Sequence, residues 1–337
     1  VANQTQAELF ARLQAAGFNP YAQGVSQADA ELYAKLSAAV SSTNGQAYKN
    51  QTLAEEYAAL SAASPLVLDQ LSALPAAAYS LRRLTQTYAG PAINVRRDSD
   101  NAVMDIGFIG NSLDTITLLA FCGSGSGYVT TWYNQGTLGS SGNLTQYAAA
   151  YDPRIVNNGS LVTVNGRPAL DFSENTTSFL NVPNVNSPSG MTAAAFNFVG
   201  SFAPNGTSSI IPYTVGGSAS NAMFLYFVPN SGSPYVNLVD FGVSQSANIG
   251  ITTGVPTIFT AAADSSLRLY MNGSLAATLS NTIAFGTGSG LRLGQNYGSS
   301  YWQGMMTEVI QTTIALPAAD HQTLEHNQES YYGISGL

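Results

Sequence analysis

Cysteine is almost missing from this chain: one residue, Cys122, in 337. That excludes an intrachain disulfide and leaves stability to a packed core. Charge is scarce too. Asp, Glu, Lys and Arg make up 9% of the residues, against about a quarter in ordinary soluble domains. Only two lysines occur, Lys35 and Lys49, and the formal net charge is -8. Such a chain cannot present the clustered cations that phosphate backbones require, so nucleic acid is excluded as a partner. The pairs Arg82-Arg83 and Arg96-Arg97 read as local salt-bridge partners. No apolar run reaches the roughly 18 residues of a membrane-spanning helix, and no charged-then-apolar leader opens the chain. The two histidines, His321 and His326, stand five apart, a poor spacing for a shared metal. No glycine-framed serine elbow accompanies them.

What is present is a globular composition, 45% apolar, in a chain long enough for two domains and at least one sizeable core. Two grammars divide it. Residues 1–75 are rich in Ala, Leu, Glu and Gln. Capping-box patterns (Thr5 with Glu8, Ser26 with Asp29, Thr52 with Glu55) precede apolar residues at helical spacing. A fourth short helical segment is expected over 66–74, between Pro65 and Pro75. These narrow, alanine-rich helices suit docking on a partner, or else form a helical cap on the sheet. From Ala76 onward Gly, Ser, Asn and Thr dominate, and short runs such as "AFNFVGSF", "MFLYFV", "YVNLVDF" and "TEVIQTTI" alternate with turns. That pattern predicts an all-β sandwich or jelly roll, closed by a helix over 317–332. In "LRLYMNGSLAATL", residues 267–279, alternation around Asn272-Gly273 predicts a two-residue hairpin.

This hairpin, followed by "LRLG", an aromatic-rich loop, "GMMTEVI" and a last helix, resembles the closing half of a laminin-G or concanavalin A-like jelly roll. "GPAINVRR", "DNAVMDIGF" and "TTWYNQ" are similar to the catalytic-domain family of α-L-arabinofuranosidases, and to domains of this kind carried on phage head and tail proteins. The resemblance spans 76–337. It implies a mainly β fold: a concanavalin-like sandwich with a small helical N-terminal region and a C-terminal helix. It also implies a catalytic pair, since retaining glycosidases need two carboxylates about 5 Å apart. The family nucleophile, a Glu, is expected in the strand that here reads "NAMFLYFV", which holds no acid. The family acid, an Asp, is expected after "LG", where this chain has Gln295 and Asn296. No catalytic residue is therefore assigned. Cys122 stands where a family cysteine would, without its partner.

Other carboxylates read as structural: Asp171 and Glu174 at a turn, Asp240 on a strand edge, Asp264 in a turn, Glu308 hydrogen-bonded within a strand. Asp98, Asp100 and Asn101 could offer oxygens to calcium, but two adjacent arginines neutralise them, so neither metal nor cofactor is expected. Sugar binding is the open chemistry. Asn296, Tyr297, Tyr301 and Trp302 supply amide and aromatic faces within seven residues; the same residues also read as Trp302 covering the core edge and the tyrosines meeting another subunit. The expectation is a non-enzymatic structural protein of a phage particle (capsid decoration, head fibre or tail), located in the virion after synthesis in the host cytoplasm. It would be anchored to other virion proteins through 1–75, homo-oligomeric, and able to bind a cell-surface glycan. The alternatives are a glycoside hydrolase of arabinofuranosidase type and a bacterial surface lectin.

Overall fold

The computed structural model describes residues 65–173, 177–182, 193–203, 213–215, 223–229, 233–240, 245–280, 292–295 and 301–335. The helices expected over 1–64 lie outside these residues. Where 66–74 was expected to be helical, only a 3-10 turn forms, Val67–Gln70. Its Val67 and Leu68 pack with Ala78, Leu84, Ile310 and Leu324, so this stretch is fastened to the β domain.

The strands that build the core are β1 (Ala77–Ser80), β2 (Ile93–Arg97), β3 (Val103–Ile106), β4 (Gly127–Trp132), β5 (Leu144–Thr145), β6 (Arg154–Asn157), β7 (Leu170–Asp171), β8 (Leu180–Asn181) and β9 (Ala194–Phe202). They continue with β10 (Tyr213–Val215), β11 (Met223–Val228), β12 (Tyr235–Asp240), β13 (Gln245–Gly250), β14 (Pro256–Ala263), β15 (Leu267–Met271), β16 (Ser274–Leu279), β17 (Arg292–Leu293) and β18 (Gly304–Thr312). All pair antiparallel. One layer runs β16-β15-β14-β9-β18, with β1 and β7 end to end along the far edge of β18. The other runs β3-β2-β4-β5-β8-β17-β10-β11-β12-β13. β6 joins them by pairing with both β4 and β7.

The layers face each other through side chains of strands that do not pair. Tyr79 of β1 meets Trp132 of β4 at 6.0 Å, and Phe198 of β9 meets Phe227 of β11 at 6.2 Å. This is the predicted mainly β sandwich. The Asn272-Gly273 hairpin is also present, both residues at positive φ as a tight two-residue turn demands. The sequence reading did not anticipate the helix α1 (Thr115–Cys122), capped by Asp114, whose carboxylate accepts from Thr117 N at 3.0 Å.

The motifs "TTWYNQ" and "GPAINVRR" prove to be joints. Asn134 Oδ1 accepts from Ala78 N at 2.8 Å and from Gly136 N at 2.9 Å. Gln135 accepts from Leu84 N at 2.8 Å and donates to the Ser80 and Arg82 carbonyls. Arg96 and Arg97 pair with Asp152 and Asp100.

The outer face of the first layer is covered by the last helix, α2 (Ala318–Tyr332). Every residue of β9 is therefore buried: Phe196, Phe198 and Phe202 face the core, while Asn197 and Val199 face the helix. The helix-facing side is polar and centred on Glu308. Its carboxylate accepts from Arg82 Nε at 2.8 Å, Arg82 Nη2 at 3.1 Å, Ser80 Oγ at 2.9 Å, Gln328 Nε2 at 3.0 Å and Tyr332 OH at 3.1 Å. Gln328 reaches on to Asn197, and Glu325 accepts from Thr260. Burial pushes the Glu308 pKa up, but Arg82 and the surrounding donors overcome this and hold it below its ordinary 4.5. The far end of α2 is capped from a hairpin: Asn165 Nδ2 donates to Tyr332 O at 3.0 Å and Arg167 Nε to Tyr331 O at 2.8 Å.

Replacing Glu308 by Ala strands the Arg82 guanidinium in the interior and is expected to cost about 3–5 kcal/mol in urea unfolding. The paired change E308L/R82M should recover most of that loss, because a buried ion pair roughly breaks even against apolar groups of its shape. The stabilisation from Glu308 should be complete above pH 4.5 and fade as pH falls through the lower, folded value.

Candidate functional site

The loop between β17 and β18 starts at a tight bend. Gly294 has φ +87, and a Cβ there would come within 2.7 Å of both the Phe172 ring and the Ser178 carbonyl. Only glycine fits. Gln295 and Tyr301 then form a bridge, and Trp302 N donates to Gly294 O at 2.7 Å, closing the loop's base. Asn296 and Tyr297 lie outside the described residues.

Tyr301 and Trp302 have opposite fates. Trp302 is completely buried, 4.9 Å from Phe227, 5.6 Å from Phe202 and 6.0 Å from Phe198. Its ring seals the sandwich and has no face to offer a ligand, which removes it from the binding set. Tyr301 keeps access to solvent. It stands 6.4 Å from Phe179, which in turn is 5.3 Å from Tyr151.

This aromatic row is stitched from three distant stretches. Phe179 N donates to Tyr151 O at 3.0 Å, and Gln146 Nε2 to Phe179 O at 3.0 Å. The Gln146 amide oxygen accepts from Tyr147 N and Ala148 N, fixing the loop that carries Tyr147, itself 82% exposed.

Next to Tyr151 is Asp152, which the sequence reading passed over. Its side chain is 1% exposed. One oxygen accepts from Arg96 Nε at 3.0 Å; the other has no partner among the described residues. Burial pushes its pKa up to about 6, against the opposing pull of Arg96. Arg96 is held in turn by Asn101, the Ala149 carbonyl and the Tyr128 ring, 5.0 Å away. The only signal in "YDPRI" was an Asp before Pro, which reads as a turn; its burial depends on β2 and β4, far away in sequence.

The remaining described carboxylates have structural partners. Asp171 pairs with Arg154, Asp264 with Arg268 and Asp100 with Arg97, and Glu308 is sealed under α2. Glu174 and the Asp240 side chain lie outside the described residues. His321 contacts Glu325 at 2.9 Å, and His326 is exposed. Among the described residues no group of three or more His, Cys, Asp or Glu side chains could hold a metal ion. The arrangement thus offers apolar ring faces to solvent, beside a buried carboxyl, Asp152, whose pKa is pushed up.

The two-layer architecture is that of the β-sandwich glycosidases. Compared with solved structures, the chain is similar to an arabinofuranosidase complexed with arabinofuranosyl-α-1,2-xylobiose, with TM-score 0.59 and 16% identity over 76% of this chain and 62% of that one. It is also similar to a GH54 α-L-arabinofuranosidase soaked with a cyclic sulfate inhibitor, with TM-score 0.57 and 17% identity over 76% and 63%. The chain thus spans about three-fifths of the length of these enzymes. The sequence matches no protein-family profile and no curated protein.

Asp152 is expected to titrate near pH 6 by carbon-detected NMR, and Arg96→Met to raise that value further. Its raised pKa gives the sign of the stability term: the contribution is full below 3.8, its ordinary value, and is lost as pH climbs through about 6.

Proposed function

We propose that the chain is a glycan-binding β-sandwich module which holds a sugar without cleaving it, displayed on a phage particle. The observation that carries the binding reading is the solvent-accessible row Tyr151, Phe179 and Tyr301 on the layer that α2 leaves open. Aromatic rings of this kind stack on the apolar faces of sugars. Asn296 and Tyr297, on the same loop as Tyr301, complete the proposed contact set. The similar enzymes point to arabinofuranosyl-bearing glycans as the first ligands to try. The non-catalytic part rests on sequence: no acid stands in 223–228, and Gln295 follows "LG".

Placement in a virion, in contact with other particle proteins through 1–75 and with copies of itself, rests on the single cysteine and the 9% charge. These suit a protein made in a reducing cytoplasm that then persists outside the cell. A second reading, glycoside hydrolysis, is favoured by one observation. Burial pushes the Asp152 pKa up to about 6, toward the range of a general acid.

Calorimetry against arabinofuranosyl-xylobiose decides between these. Binding is expected, with Tyr301→Ala and Tyr151→Ala each weakening it by about tenfold, the effect of losing one stacked ring of roughly 1.4 kcal/mol. No release of 4-nitrophenol from 4-nitrophenyl α-L-arabinofuranoside is expected above the Asp152→Asn background. Turnover abolished by Asp152→Asn would establish the hydrolase instead.

A further inference from the structure

The open layer carries a second feature at right angles to its strands. Cross-strand partners follow one another without a break from Asp105 to Asn94, Thr131, Thr145, Asn181 and Arg292. Directly opposed residues share a face of the sheet, so these six side chains form one rung. Their neighbours along each strand, Ile106, Ile93, Trp132, Leu144, Leu180 and Leu293, are all completely buried. The polar rung must therefore face away from the core, and all six of its members keep access to solvent. Five inter-strand steps of about 4.8 Å make it about 24 Å long.

Resting on the glycan-binding reading above, we propose that this rung is the floor of an extended site, and that the ligand is a linear, uncharged polysaccharide chain and not a lone terminal sugar. The polarity of the rung selects that occupant. Charge is confined to its two ends, Asp105 and Arg292; between them stand only amides and hydroxyls, which match a run of sugar hydroxyls. A protein partner would be met by aromatic and apolar groups at its centre; here the centre is amide and hydroxyl, and the aromatic groups Tyr147 and Phe179 stand at its flank. An anionic polymer would approach a chain of net charge -8.

Part of the rung is already ordered. Asn94 Nδ2 donates to Asp105 Oδ1 at 2.7 Å and Asn94 Oδ1 accepts from Thr130 at 2.6 Å. Asn181 Nδ2 reaches Thr145 O at 3.5 Å. Bonding capacity is left over, since the Thr131 hydroxyl and the Asn181 side-chain oxygen have no partner among the described residues. The aromatic row joins the rung from one side: Tyr147 and Phe179 follow and precede Thr145 and Asn181 by two residues, and Gln146 ties the two stretches through Phe179 O.

The test is affinity against chain length, measured by calorimetry on the full chain with xylo- and arabino-oligosaccharides graded from disaccharide to hexasaccharide. Affinity should rise stepwise with length. The double variant Asn94→Ala/Thr131→Val should weaken the hexasaccharide by about twenty-fivefold, two hydrogen bonds at about fivefold each, and leave the disaccharide unchanged. Tyr301→Ala should weaken both. Unchanged circular dichroism and melting temperature would show that the variants fold. Affinity independent of length and indifferent to Asn94 and Thr131, with Tyr301 still required, overturns the extended site and leaves the glycan-binding reading intact. Absence of binding at every length, by a folded chain, overturns both.

Discussion

Glu308 is the group around which the molecule is arranged. It sits in β18, the strand that pairs with β1, β7 and β9, and its carboxylate collects donors from β1, from the chain just after it and from two turns of α2. A charge this deep is tolerable only because each lone pair is answered. The net energy of the Arg82 pair against an apolar replacement is small; what it supplies is position. α2 has one register on the sheet, set by where Gln328 and Tyr332 must reach.

That constraint divides the two layers into different roles. The centre of the first, β14-β9-β18, is buried on both faces, aromatic toward the core and hydrogen-bonded toward the helix, while its edge strand β16 is exposed. In the second, the described outward side chains from Asp105 to Arg292 keep access to solvent and can carry chemistry. Trp302 and Tyr301, adjacent in sequence, fall on either side of this division, one sealing the core and the other standing in the aromatic row.

The fold was legible because its signals are local. Alternation in 267–279, the Asn-Gly turns and the apolar runs of β9 and β14 depend on neighbours a few residues apart. The family-like motifs were legible as strings, yet their work is to join: Asn134 and Gln135 pin β1 and the chain after it, and Arg96 holds Asp152. The site was less legible. Tyr301 was visible in an aromatic-rich loop, but Tyr151 and Phe179 come from unrelated stretches that only tertiary pairing brings together. Asp152 acquires its character from burial, which one-dimensional spacing does not encode. α1 was hidden because "TITLLAFC" is mostly apolar and carries no clear helical period; its capping Asp114 was the one signal.

The position of β18 in the order of synthesis has its own consequence. This central strand, Gly304–Thr312, emerges from the ribosome after every strand it pairs with. Until it arrives, β1, β7 and β9 lack their shared partner, and β9 waits about a hundred residues for it. The first layer is therefore completed late in synthesis, and until then β9 keeps an open edge of the kind that invites pairing with another chain.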